Sequence, residues 1–250
     1  MSGHSKWHSI KHKKGAADAA RGKLFAKLIR QIEVAAREGG SDPDANPTLR
    51  TMVSKARDAS VPVDTIDRAI KRGIGELEGV RYEQVTYEGY APSGVAILVE
   101  TLTDNRNRTG QEVKNVFTRH GGSLAEPGAV AWQFERKGVI TVDAAATTED
   151  DLMLAALDAG AEDITDQGDT WQVSTAPTDL HKVREALVGA GIPVQNAEQL
   201  MLATTTVPLA DETSAKAVLR VIDALEENDD VQTVNANFDI PDDVLEAVIA

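Results

Sequence analysis

"VITVDAAATTEDDLMLAALDAGAEDITDQGDTWQVSTAPTDLHKVREALVGAGIPVQNAEQLML", residues 139–202, decides the fold. It opens with an apolar strand, VITV (139–142), and passes into a helical repeat over EDDLMLAALDAG (149–160). Two short strands follow, EDIT (162–165) and TWQVST (170–175), then a helix in TDLHKVREALVGAG (178–191) and a strand in IPVQNAEQLML (192–202). The order βαββαβ predicts a ferredoxin-like sheet with both helices on one face. A sheet of this kind can also be an RNA recognition motif, but VITV and EDIT carry no aromatic residue on which a base could stack.

The flanks of this unit fit each other. On its N-terminal side, RYEQVTYEGY (81–90) and GVAILVETL (94–102) read as strands joined by the turn APSG, followed by a helix over about residues 110–120 and a strand in AVAWQFE (129–135). That set is an incomplete layer. On the C-terminal side, DETSAKAVLRVIDALEEN (211–228) reads as a helix and DVQTVNANF (230–238) as a strand, which are the pieces the first set lacks. The expectation is a discontinuous α/β domain over 79–137 plus 207–250, with the ferredoxin-like domain, 138–206, inserted in it.

Ahead of RGIGELEGV (72–80), where three glycines interrupt, the pattern is helical. In AADAARGKLFAKLIRQIEVAAREGG (16–40), Leu24, Phe25, Leu28, Ile29, Ile32 and Ala36 form one stripe, and Gly39-Gly40 supplies the stop. Asn46 and Pro47 mark the start of a second helix with Leu49, Met52, Val53 and Ala56 inward. Asp64 is the expected cap of a third, with Ile66 and Ile70 inward and Gly73 as its end. The whole is thus an α+β chain: a three-helix domain over 1–78, then two α/β sandwich domains.

Charge separates these parts. Residues 1–81 hold 16 Lys and Arg against 10 Asp and Glu, whereas residues 82–250 hold 10 against 30, so the first part is +6 and the second −20. Within residues 1–30 there are eight basic residues and one acid, Asp18. A polyanion would be drawn to the N-terminal end and turned away by the rest. The predicted cationic track is Lys6, Lys11, Lys13, Lys14, Arg21, Lys23, Lys27 and Arg30, with His4 beside it and Trp7 placed either to stack on a base or to anchor the arm. Lys23, Lys27, Arg30 and Arg37 fall in an arc of about 80° opposite the apolar stripe. The third helix offers Arg68, Lys71 and Arg72 with no Asn or Gln aimed at bases, which favours contact with the phosphate backbone over sequence readout.

One loop in the acidic part breaks the trend. TDNRNRTGQE (103–112) leaves a strand and enters a helix, with Thr109 and Glu112 at capping-box spacing, so Arg106 and Arg108 lie beside free backbone N–H groups suited to a phosphate. The alternative is that Asp104 and Asn105 shape the turn and the arginines pair with nearby acids.

Other chemistries are poorly served. The chain has no cysteine, which removes thiolate metal sites and disulfides. His4, His8 and His12 are one helical turn apart, but no carboxylate ligand lies nearby and four lysines oppose a divalent cation, so no metal or cofactor is expected. There is no phosphate loop of the G-x-x-x-x-G-K-[ST] kind, no H-E-x-x-H and no G-x-S-x-G, so the sequence points away from an enzyme and from a small-molecule substrate. The apolar runs are far shorter than the roughly 20 residues that span a bilayer, and the polar, basic N-terminus lacks a signal-peptide core; the expected compartment is the cytoplasm, with no membrane contact.

GHSKWHSIKHKK (3–14), AARGKLFAKLIRQI (19–32), DPDANPTLR (42–50), RAIKRG (68–73), TDNRNRT (103–109) and FERKGVI (134–140) together resemble the YebC family over essentially the whole chain. The resemblance implies a non-enzymatic, cytoplasmic, three-domain protein that binds nucleic acid. Bacterial members are assigned to DNA as transcriptional regulators; others, including mitochondrial translational activators, work on the ribosome, where rRNA or tRNA is the partner and stalling at proline-rich stretches is relieved. His8-Ser9 and His12 depart mildly from the family pattern. A protein-interaction adaptor acting through the acidic α/β domains is the remaining alternative.

Overall fold

The computed structural model of the chain describes residues 17–249. Helix α1 (Ala17–Gly39) packs against α2 (Pro47–Asp58) and α3 (Val63–Gly73). Leu28, Ile32, Ala36, Leu49, Val53, Ile66 and Ala69 form the sealed centre of this bundle. Leu24, expected in the stripe, is 44% exposed, because it lies a full turn before the point where α2 and α3 cover α1.

A single side chain closes the turn between α1 and α2. Gly40 adopts a positive φ of 88°, which lets the chain leave α1 while its N–H still bonds Ala36 O. Buried Asn46 then serves both helix ends: its Oδ1 accepts from Leu49 N at 3.0 Å, and its Nδ2 donates to Ala35 O at 2.8 Å and Gly40 O at 3.0 Å. Asn46→Ala should therefore cost about 2 kcal/mol, at the upper end for an N-cap, since orphan groups on two helices lose their partner. Asn46→Asp keeps the acceptor and loses the donors, so a urea melt should place it between the two.

The third helix begins earlier than Asp64 suggests. Pro62 holds the N-cap position and Asp64 lies in the first turn, where its charge meets the free N–H groups without capping them.

Beyond residue 74 lie two antiparallel four-stranded sheets. The first has the order β3-β1-β2-β9, from β1 (Glu83–Tyr90), β2 (Ala96–Thr103), β3 (Ser123–Ala125) and β9 (Val231–Ala236). Helices α4 (Arg106–Arg119), α7 (Glu212–Glu226) and α8 (Asp242–Ile249) belong with it. Its core joins Ile97 and Val99 of β2 to Val113 and Phe117 of α4 and to Val218, Ile222 and Leu225 of α7. β9 pairs β2 across more than a hundred residues of sequence, so this sheet is built from two separated segments.

The second sheet has the order β5-β6-β4-β7, with β4 (Phe134–Asp143), β5 (Ala161–Asp166), β6 (Thr170–Thr175) and β7 (Val194–Ala203), all neighbours antiparallel. With α5 (Glu149–Ala156) and α6 (Leu180–Gly189) it is the ferredoxin-like arrangement, closed around Ile140, Val142, Leu152, Val173, Val183 and Leu187.

Two strand readings are corrected. AVAWQFE is not a strand of the first sheet: Ala131–Gln133 forms a 3₁₀ turn and Phe134 opens β4, which pairs with β7 from Phe134↔Ala203 onward. A division at 137/138 therefore falls inside one continuous strand. The first sheet's outer strand is instead Ser123–Ala125, three residues between Gly122 and Pro127 and too short to show an alternation. The C-terminal helix α8, and the short parallel pair of β8 (Val207–Pro208) with β10 (Phe238–Asp239), also lack a sequence counterpart above.

The first half of β2, Ala96–Val99, reads as unbroken apolar sequence because both of its faces are covered. Ile97 and Val99 meet the helices, while Ala96 and Leu98 meet Val130 and Phe134, with Met201 and Ala203 of β7 packed on that cluster.

Candidate nucleic-acid interface

His4, Lys6, Trp7, Lys11, Lys13 and Lys14 lie outside the described residues. Of the remaining track, Arg21 is exposed on the first turns of α1. Lys23, Lys27 and Arg30 are not presented to solvent as a free face. Lys23 Nζ bonds the Glu227 carboxylate, and Lys27 Nζ donates to Glu226 O at 3.3 Å. Arg30 Nη1 bonds Asp229 O and sits 3.0 Å from Asp230 Oδ1. Next to them Gln31 Nε2 donates to Gln232 Oε1 at 3.2 Å. The cationic side of α1 therefore docks on the acidic end of α7 and the turn into β9.

The reason is electrostatic and local. The sequence EENDD (226–230) puts four carboxylates at the carboxyl end of a helix, where the backbone dipole is already negative, so cations from elsewhere are drawn there. Arg37, the fourth cation of that arc, donates from Nη2 to Val80 O at 3.1 Å and so reaches the 74–82 linker. Arg30 also lies over the Tyr82 ring, 5.4 Å from its centroid, and Arg72 pairs with buried Glu33 across the same cleft.

Asp230 is the centre of this contact. It is 4% exposed, and its Oδ2 accepts from Arg108 Nη2 at 2.6 Å, Thr109 Oγ1 at 2.7 Å and Thr103 Oγ1 at 3.2 Å, while Oδ1 faces Arg30. Burial would raise its pKa, but the Thr109 hydroxyl and the Arg108 guanidinium outweigh that and hold the carboxyl below its ordinary value. In return Arg108 is pushed up, first by Asp230 and then by Asp104, 2.9 Å away. Nothing in the sequence singles out Asp230 among thirty acids in this part of the chain. Its importance comes from partners 121 to 200 residues away.

α4 itself starts before the predicted capping box. Asn105 is the N-cap, its side chain accepting from Arg108 N at 3.1 Å. Thr109 is thus a buried residue of the first turn, with Oγ1 turned to Asp230 and away from the cap position. Arg106 and Arg108 part company here. Arg108 is taken up by Asp230 and Asp104, whereas Arg106 stays exposed, with no ion pair among the described residues, and its carbonyl accepts from Tyr87 Oη at 3.0 Å.

Among the described residues no group of three or more His, Asp or Glu could hold a metal ion, and no helix is long and apolar enough to cross a membrane.

A family model described as "TACO1/YebC protein N-terminal domain" matches residues 5–76, and one described as "TACO1/YebC second and third domain" matches residues 82–238. The chain belongs to the TACO1/YebC family. Relatives named "Probable transcriptional regulatory protein" come from Rubrobacter xylanophilus, 57% identical over 249 residues and 99% of each chain, and from Acidothermus cellulolyticus, 56% identical over 99% of this chain and 100% of its own. A crystal structure of a conserved hypothetical protein from Aquifex aeolicus, 49% identical, superposes with a TM-score of 0.80 over 90% of this chain and 93% of that one. Among the described residues of this YebC-family fold, exposed cations include Arg57, Arg68 and Lys71 on the outer faces of α2 and α3, Arg106, Lys114 and Arg119 on α4, and Lys182, Arg184 and Arg220 on α6 and α7.

Proposed function

We propose that the protein is a non-enzymatic regulator of gene expression that holds the phosphate backbone of a nucleic acid through its N-terminal segment. The observation that carries this is charge placement: eight basic residues against one acid in residues 1–30, attached to a remainder of −20. The relatives' names support transcription as the process, for which duplex DNA is the ligand proposed. Lys6, Lys11, Lys13, Lys14 and Arg21 are the proposed backbone contacts, with His4 and Trp7 beside them. Lys23, Lys27 and Arg30 contribute by fixing α1 on the acidic turn, which orients the segment that α1 carries.

Titration of the full chain with duplex DNA at increasing salt tests this. With about six phosphates engaged, log K should fall with log salt at a slope of about −5. Lys11→Ala/Lys13→Ala/Lys14→Ala should flatten that slope by about 3. Binding that ignores salt would reject a backbone contact altogether. Co-sedimentation with ribosomes that excess DNA does not displace, and that the triple variant loses, would move the same contact to translation.

A further inference from the structure

We infer that the exposed face of α4 is a second backbone contact, so that the nucleic acid spans the N-terminal helical bundle and the first sheet's helical layer. The inference rests on the nucleic-acid reading given under Proposed function and adds a site to it. Residues 82–250 contain only ten Lys and Arg, and four of them, Arg106, Arg108, Lys114 and Arg119, are on this one helix of fourteen residues.

Of the six other cations in this part of the chain, three are neutralised in ion pairs, while Lys182, Arg184 and Arg220 are exposed and spread over two helices. Arg136 pairs with Glu100, Lys137 with Glu135 and Glu162, and Lys216 with Glu212. On α4 only Arg108 is neutralised. Arg106, Lys114 and Arg119 are exposed and make no ion pair among the described residues.

The face they flank carries no acid. Lys114, Asn107, Thr118, Gln111 and Asn115 fall within an arc of about 100° and all are exposed. Amides and hydroxyls of this kind also donate to phosphate oxygens beside the cations, without committing to a base sequence. The helix's one carboxylate, Glu112, points elsewhere and accepts from Asn228 Nδ2 at 2.7 Å. Glu112 also lies 4.0 Å from Arg108, on the side of the helix away from this face.

Position supports the same occupant. Arg30 of α1 and Arg108 of α4 both bond Asp230, so the helix that bears the cationic N-terminal segment and the start of α4 meet at one carboxylate. From Arg106 to Arg119 the face runs about 20 Å at 1.5 Å per residue, the length of about six base-pair steps along a duplex axis at 3.4 Å each. The chemistry recognised is a run of phosphates, which duplex DNA and duplex RNA share.

The experiment uses the full chain and a 30-base-pair duplex in DNA and RNA form, titrated at several salt concentrations. Lys114→Ala/Arg119→Ala should weaken binding about tenfold at moderate salt and reduce the salt slope by about 2, with an unchanged melting temperature because neither side chain has a partner to lose. Lys182→Ala/Arg184→Ala, the same charge change on exposed positions of α6, should leave the slope as it was. Equal effects from both double variants would reduce the result to net charge and overturn the site. Steep wild-type binding that the α4 variant leaves untouched would overturn it while sparing the N-terminal contact. Failure of the wild type to bind either duplex would overturn both readings together. The tighter of the two duplexes identifies the source of the phosphates.

Discussion

Asp230→Ala should lower the stability of the chain by about 3–5 kcal/mol, measured by urea unfolding at pH 7. The carboxylate is buried and receives Arg108, Thr109, Thr103 and Arg30. Its removal leaves Thr103 and Thr109, both fully buried, without the acceptor they share, although their hydroxyls remain 2.7 Å apart. It also takes from Arg30 its carboxylate partner and leaves Arg108 with Asp104 and Glu112 alone. Asp230→Asn keeps the shape and one acceptor, so its loss should be about half as large. Because Arg30 belongs to α1, cleavage of the exposed 74–82 linker by a protease should rise in parallel. A loss under about 1 kcal/mol for the alanine variant would mean that the helical bundle is held by its other contacts and that Asp230 is incidental.

The second large effect is at Glu88, on β1 between β3 and β2. Its side chain is 6% exposed, and both oxygens accept backbone donors: Oε1 from Gly128 N at 2.6 Å, Oε2 from Val130 N at 2.6 Å and from Ala131 N at 2.8 Å. This carboxylate fixes the turn that carries the chain from the first sheet into the second. Glu88→Gln is the informative variant. It preserves size and removes charge, yet it must set an NH₂ group against a backbone N–H, so it should cost about 3 kcal/mol. A glutamine variant as stable as the wild type would show that the turn finds other acceptors.

The two carboxyls also set the acid limit of the fold. Burial acts to raise Glu88, but the N–H groups of Gly128, Val130 and Ala131 outweigh it and hold the group below its ordinary 4.5; Asp230 is likewise held below its ordinary 3.8. A depressed pKa means that the unfolded chain binds protons first, so the stability these groups add is complete above their ordinary values and is lost as pH falls through the lowered ones. The melting temperature should be level between pH 7 and about 5 and decline below 4.5. Glu88→Gln should start lower and decline less steeply.

Much of the architecture was legible because it is written in short-range patterns. The βαββαβ order, the Asn46-Pro47 start of α2, the Gly39-Gly40 stop and the split of the first sheet between two segments all follow from periodicity, caps and a missing strand. β3 was not legible, since three residues carry no period. The N-cap of α4 was misread because Thr109 and Glu112 have capping-box spacing, while the residue that caps is Asn105. Arg108 illustrates why charged side chains resist reading from sequence alone. Its neighbours in the chain leave both a phosphate site and an acid pair open; the structure gives the pair, with Asp104 four residues before it and with the buried carboxylate of Asp230 far along the chain.

What the sequence by itself determined is the fold class, the ferredoxin-like sheet and the opposition between a cationic beginning and an acidic remainder, because helix and strand periods and net charge are sums over neighbouring residues. Which cations remain available is a tertiary matter. Lys23 and Arg30 look like the continuation of a cationic track until the turn after α7 brings Glu227 and Asp230 to them, and Lys114 and Arg119 look unremarkable until the one acid of their helix, Glu112, is found to accept from Asn228. An ion pair falls off over a few ångströms, and only the folded chain sets distances between residues two hundred positions apart.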